Sequence, residues 1–283
     1  VTNMAYMFYN CSLLESIDLS NFNTSSVTNM EHMFSDCASL KSIDLKHLNL
    51  SSITSMYYML SNCISLNTID MSYLDISSIN NMDHIFNGCN SLIYINFSHI
   101  NVSSLRYMSN TFDGCSSLES IDLSYSDASS VYSLSYFFNG YSSLKSVNLS
   151  NFVVSSVTSM DYMFYYCSSL ESLNLSNFNT SLVKNMAHMF YGCASLNSLD
   201  LSNFNTSLVT NMNSMFYRCG SLKYINISKI NASSLTSTKS LFYGLSLLES
   251  IDLSYFDSSS VTDFSNMFRG LNALKNINLS IID

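Results

Sequence analysis

The chain has no proline, no tryptophan and only 7 glycines in 283 residues. With no Gly/Ser-rich stretch either, it offers no linker at which a domain boundary would fall. Charge is scarce too. Asp, Glu, Lys and Arg make up 11% of the chain, against about 25% in an ordinary globular domain. The net charge of −9 excludes the clustered cations that nucleic acid or an anionic membrane surface requires. No apolar run approaches the roughly 18–20 residues of a membrane span, so no membrane insertion is expected of this segment. The first residues also lack the basic and apolar regions of a signal peptide. No Gx4GK[ST], HExxH, CxxC or GxSxG occurs, and no arrangement of nucleophile and base stands out. A non-enzymatic protein is expected.

What the chain does have is one unit, repeated. Val1, Val27, Ile53, Ile79, Leu105, Val131, Val157, Val183, Val209, Leu235 and Val261 each open a copy 26 residues after the last, without insertion or deletion. A fixed period of this size reads as a solenoid. We number each copy from its opening residue. Positions 4, 7, 8 and 11 are apolar, as in Met30, Met33, Phe34 and Cys37. That spacing predicts one face of a short helix. Position 3 is Asn, Ser or Asp in all copies except the one holding Tyr107, which suits a helix N-cap. Position 10 carries Gly88, Gly114, Gly140, Gly192, Gly244 and Gly270, which suits a left-handed helix stop. Position 14 is always Leu, and apolar positions 17 and 19 alternate with polar 16, 18 and 20. That alternation predicts a short strand with one buried face.

The expected fold is therefore an α/β repeat solenoid of eleven 26-residue copies over 1–283. One face is a parallel β-sheet and the other carries short helices. Position 15 supports the stacking, because Glu15 precedes Lys41 and Glu249 precedes Lys275 one copy apart, as cross-strand ion pairs would require. The end copies are ordinary repeats, which reads as a segment of a longer chain, or as ends that cap one another.

Leu40-Lys41-Ser42-Ile43-Asp44-Leu45 is the LxxLxL of a leucine-rich repeat. The fuller run resembles the 26-residue repeat of BspA-like bacterial surface proteins. It is carried by Met189-Phe190, Cys193, Ser195-Leu196, Leu199-Asp200-Leu201-Ser202, Phe204-Asn205-Thr206-Ser207 and Val209-Thr210-Asn211-Met212. The resemblance covers the whole chain. It implies a leucine-rich-repeat-like solenoid at a cell surface or outside the cell, acting in adhesion or protein binding, with no catalytic residues. A common leucine-rich repeat has a buried Asn ladder where this chain has Phe22, Phe178 and Phe204. Asn or Asp comes one residue later, at Asn23, Asn49, Asp75 and Asn101, either as a displaced ladder or as a turn.

Several rows are candidate sites. The eight Cys all occupy position 11, where other copies place Tyr141, Leu245 and Leu271; they read as buried apolar residues rather than a disulfide framework. Asp18, Asp44 and Asp70 occupy position 18 in consecutive copies. They are either a row of Ca²⁺ ligands or carboxylates bonded to the Ser rows beside them, and the second reading is preferred. No other metal or cofactor is expected. The five His read as surface residues. Loop sequons at Asn23, Asn49, Asn101, Asn179, Asn205 and Asn231 are glycosylation candidates. Tyr165, Tyr191, Tyr217 and Tyr243 share position 9 in successive copies. They form an aromatic strip suited to a protein partner or to self-assembly, lateral or end to end. A glycan could lie on the strand face at Tyr94 and Tyr224. The structural alternative to adhesion is a filament subunit assembled through uncapped repeats. Thr111, Ser126 and Thr238 stand where a core apolar residue belongs, and read as weak points or as places where a partner meets the chain.

Overall fold

In a computed structural model, which describes residues 1–108 and 110–279, the copies stack one on the next in register. Eight short strands lie in three parallel sheets. The first contains β1 (Thr68–Asp70), β2 (Tyr94–Asn96), β3 (Ser120–Asp122) and β4 (Ser146–Asn148). The second pairs β5 (Ser198–Asp200) with β6 (Tyr224–Asn226), and the third pairs β7 (Ser250–Leu253) with β8 (Asn276–Leu279). Register follows the period: Ile69 lies opposite Ile95, and Leu199 opposite Ile225. The chain divides into two compact units, one of residues 1–131 with 147–153 and the other of 132–146 with 154–283. Each unit is a leucine-rich-repeat-like parallel β-solenoid.

The expected helices are absent. Among the described residues no helix occurs, and positions 4–11 form a run of turns. Their backbone bonding alternates. Met7, Tyr9 and Cys11 donate three residues back, to Met4, Tyr6 and Phe8. Met4, Tyr6, Phe8 and Asn10 instead donate to the next copy, at Asn29, Glu31, Met33 and Ser35, each at 2.9 Å. The second unit repeats this: Met186, His188, Phe190 and Gly192 donate to Asn211, Asn213, Met215 and Tyr217. The reason lies in two backbone positions. Every described residue at position 6, from Tyr6 (φ 60°) to Asn266 (φ 56°), has positive φ, and so does every one at position 10. A left-handed third residue closes a four-residue turn of type II kind and breaks the right-handed path a helix needs. Half the amides then point along the stack, where the neighbouring copy satisfies them.

Apolar residues still meet as their spacing requires, because successive turns bury the same positions. Phe8 stacks on Phe34 at 5.2 Å in the first unit, and Phe164, Phe190, Phe216 and Phe242 stack at 5.6–5.8 Å in the second. Each buried Phe is worth about 1.5–3 kcal/mol over exposure. The pattern-breaking hydroxyls are satisfied: Thr111 Oγ1 donates to the Met108 carbonyl at 2.8 Å, and Ser126 Oγ to that of Phe97 at 2.7 Å.

Candidate functional site

Three corners recur from copy to copy, and most of them use the same device; Tyr107 and Val153 are exceptions. An Asn, Asp or Ser side chain accepts the backbone N–H two residues on, an Asx-type turn. At position 3, Asn29 Oδ1 accepts from Glu31 N at 2.8 Å. This is the bond expected of an N-cap, made here without a helix. At position 18, Asp18, Asp44 and Asp70 each accept from Ser20, Lys46 and Ser72 N at 2.9 Å. The Ser20 N–H, first among the causes, holds the Asp18 carboxyl below the usual carboxylate range. At Asp70, burial works upward, but the Lys46 ammonium 2.6 Å away and Ser72 outweigh it, so its pKa is lowered. The Asp row therefore has turn-making partners, and Asp70 has a cation as well. Among the described residues no three His, Cys, Asp or Glu converge to hold a metal ion.

At position 23 the Asn row makes turns and no buried ladder. Asn23, Asn49 and Asn205 are exposed, and their Oδ1 atoms accept from the Oγ of Ser25, Ser51 and Ser207 at 2.7–2.8 Å. Asn101, Asn179 and Asn231 are also exposed and accept the N–H of Ser103, Ser181 and Ser233. A short ladder sits one residue later, on the consecutive buried Thr180 and Thr206. Thr180 Oγ1 donates to the Asn205 carbonyl at 3.0 Å and accepts from Asn205 N at 2.8 Å, and Thr206 repeats this with Asn231. The sequence signal was the Thr at position 24 of the NTS runs.

The turn face carries the aromatic rows. Tyr165, Tyr191, Tyr217 and Tyr243 stack face to face, with centroids at 4.8, 4.4 and 4.5 Å. All four are half-buried, so rims and hydroxyls remain at the surface. Burial, then the neighbouring Tyr166, pushes the Tyr191 phenol up to about 12. Position 6 forms a second column beside the first: Tyr136, Tyr162 and His188 stack at 4.7 and 4.6 Å, and Tyr162 lies 5.1 Å from Tyr165. The first unit has a matching position-6 column of Tyr6, His32, Tyr58 and His84 at 4.7–5.1 Å. Sequence reasoning missed these columns, because Tyr, the commonest residue at position 6, is a weak marker of a left-handed residue. Their recurrence at position 6 was the available signal. His32, His84 and His188 are accordingly half-buried rather than simple surface residues, and their Nδ1 atoms are buried without a hydrogen-bond partner. Burial lowers the His188 pKa against the pull of Asp161. On the strand face, Tyr94 is half-buried and Tyr224 exposed.

All eight Cys are free, and all but Cys11 are buried. Their thiols donate along the stack, Cys37 to the Phe8 carbonyl at 3.2 Å and Cys167 to that of Phe138 at 2.9 Å. Burial pushes Cys89 and Cys219 up to about 12.

No curated protein matches the sequence. Solved structures similar to it include the Toll–Spatzle complex of Drosophila, at 18% identity and a TM-score of 0.47, covering 99% of this chain and 35% of that one. The chain thus spans about a third of the length of that relative. A leucine rich cell surface protein of Faecalibacterium prausnitzii matches at 19% identity and a TM-score of 0.38, over 100% of this chain and 77% of that one. An internalin of Listeria monocytogenes matches at 16% identity and a TM-score of 0.32, over 93% and 69%. In sequence, the family described as "Mycoplasma protein of unknown function, DUF285" matches residues 1–95, 86–198, 132–251 and 168–281. The chain belongs to that family, and its 26-residue repeat resembles that of BspA-like leucine-rich-repeat proteins.

Proposed function

We propose that the protein is a non-enzymatic repeat module, displayed at a cell surface or outside the cell, whose turn face binds a protein partner. The observation that carries this is the unbroken stack of Tyr165, Tyr191, Tyr217 and Tyr243. Stacking fixes the rings before any partner arrives, so little side-chain entropy is lost on docking. The phenol rims offer apolar area with a polar tip, which is why Tyr is enriched in protein interfaces. The BspA-like repeat supports the surface location and the adhesive role. The exposed sequons at Asn23, Asn49, Asn101, Asn179, Asn205 and Asn231 suit an extracellular chain that carries glycans. The Ca²⁺ reading of Asp18, Asp44 and Asp70 ranks lower, because each already makes a turn.

The test is adhesion. Beads coated with the parent chain, and with a Tyr191→Ser/Tyr217→Ser variant, are offered to candidate cells. Loss of adhesion by tenfold or more with the fold retained supports the reading. Adhesion that is unchanged in the variant overturns it. A Tyr94→Ser/Tyr224→Ser variant serves as the strand-face control.

A further inference from the structure

The turn face is charged differently in the two units. In the first unit, positions 4–11 carry Glu31, Asp36, Asp83 and Asp113, and no Lys or Arg. In the second unit the same positions carry Arg218, Lys239 and Arg269 against one acid, Asp161. Their relief differs as well. Position 9 of the second unit is the tyrosine ridge, with Arg218 over the Tyr217 ring at 5.4 Å and Arg269 over that of Tyr243 at 5.7 Å. Position 9 of the first unit holds Tyr9, Ser35, Ser61, Asn87 and Asp113, and the row dips at Ser35 and Ser61, each only 3% exposed. One unit presents a basic ridge and the other an acidic lane that is low at Ser35 and Ser61.

The two surfaces share a period. The ridge rings repeat at 4.4–4.8 Å, and the rings flanking the lane, Tyr6 to His84, at 4.7–5.1 Å. Both follow from the spacing of hydrogen-bonded neighbours. A partner with another rise per repeat would fall out of step within a few rungs. A second copy of this chain does not.

Accepting that the turn face is a protein-binding surface, we infer that its partner is a second copy of the chain, the tyrosine ridge of one copy seated in the acidic lane of the other. Arg218 and Arg269 then approach carboxylates at the same level as the rings. Complementary charge sets the register of such contacts and speeds the encounter.

The experiment is sedimentation equilibrium of the full chain at low and at about 0.5 M salt, where charge pairing at the surface is screened. Reversible self-association that weakens at least tenfold in high salt is expected. An Arg218→Gln/Lys239→Gln/Arg269→Gln variant and a Glu31→Gln/Asp36→Asn/Asp113→Asn variant should each lose it. An equimolar mixture of the two should regain it, because one brings an intact lane and the other an intact ridge. Thermal melts of both variants check that the fold persists. A single monomeric species at every concentration in low salt overturns the inference, as does undiminished association in either variant. The adhesion assay separates the two failures. If the chain stays monomeric while Tyr191→Ser/Tyr217→Ser still abolishes adhesion, the face binds a different protein and only the inference falls. If that variant leaves both adhesion and association intact, the binding reading falls as well.

Discussion

Tyr191 and Tyr217 stack with ring centroids 4.4 Å apart and planes 9° from parallel, one copy above the other. Tyr217 makes the same contact with Tyr243 at 4.5 Å. Each such pair adds about 0.5–1.5 kcal/mol beyond the area it buries. Tyr217→Ala removes both contacts and should destabilise the chain by about 1–3 kcal/mol, read as a lower midpoint in urea. Tyr243→Ala removes only one of these stacks and should cost less.

Gly192 and Gly244 occupy the same repeat position with φ of +74° and +77°. A Cβ on Gly192 would lie 2.8 Å from Tyr166 Cδ1, whereas on Gly244 nothing comes closer than 3.6 Å. Gly244→Ala should cost about 1–2 kcal/mol, the backbone term alone. Gly192→Ala should cost more, because Tyr166 must also move. Equal melting temperatures for the two variants would contradict this account of the turns.

Burial depresses the His188 pKa in the folded chain, and the nearby Asp161 offsets this only in part. Protonation would place a hydrogen on a buried Nδ1 that has no acceptor. The sign follows directly. Below the ordinary His value of about 6.5, the unfolded chain takes the proton before the folded one does, so stability falls as pH falls through that value. His188→Tyr keeps a ring in the column, and Tyr already occupies this position with this backbone at Tyr162 (φ 57°). Urea midpoints at pH 7.5 and 5.5 should differ less in the variant than in the parent.

Burial raises the pKa of Cys37, Cys63, Cys89, Cys115, Cys167, Cys193 and Cys219. Thiolate is the reactive form. Iodoacetamide at pH 8 should label Cys11 alone in the native chain and all eight in denaturant, as mass spectrometry would show. Rapid native labelling of the buried seven would mean that the coil opens at position 11.

Much of the fold was legible because stacking obeys the period. Leu at position 14 and alternation at Ile69 and Ile95 gave strands and register, although the strands among the described residues fall in three parallel sheets and not in the single sheet expected. Glu15 with Lys41 and Glu249 with Lys275 gave pairs that form at 2.7 and 3.0 Å. The helices failed for a physical reason. Met30, Met33, Phe34 and Cys37 have helical spacing, yet four-residue turns bury the same positions when every second amide bonds the next copy. Residue types at position 10 hinted at this, since Asn10, Asp36 and Gly88 all tolerate a left-handed backbone. Tyr58 at position 6 did not, because the left-handed backbone there, shared with Ser214 and Ser240, goes with amide bonds to the next copy, which no single copy displays. The tyrosine strip was readable as a row; its contacts and its charged surroundings were not.

The central claim is that the turn face, and not the strand face, makes the contact. Hydrogen–deuterium exchange of the full chain, free and adhered to its target surface, tests it most directly. Slowed exchange on binding should map to turn peptides of residues 160–167, 186–193, 212–219 and 238–245, with the strand peptides around Ser198–Asp200 and Tyr224–Asn226 unchanged. Protection confined to the strand peptides, with the tyrosine turns exchanging as in the free chain, would contradict it.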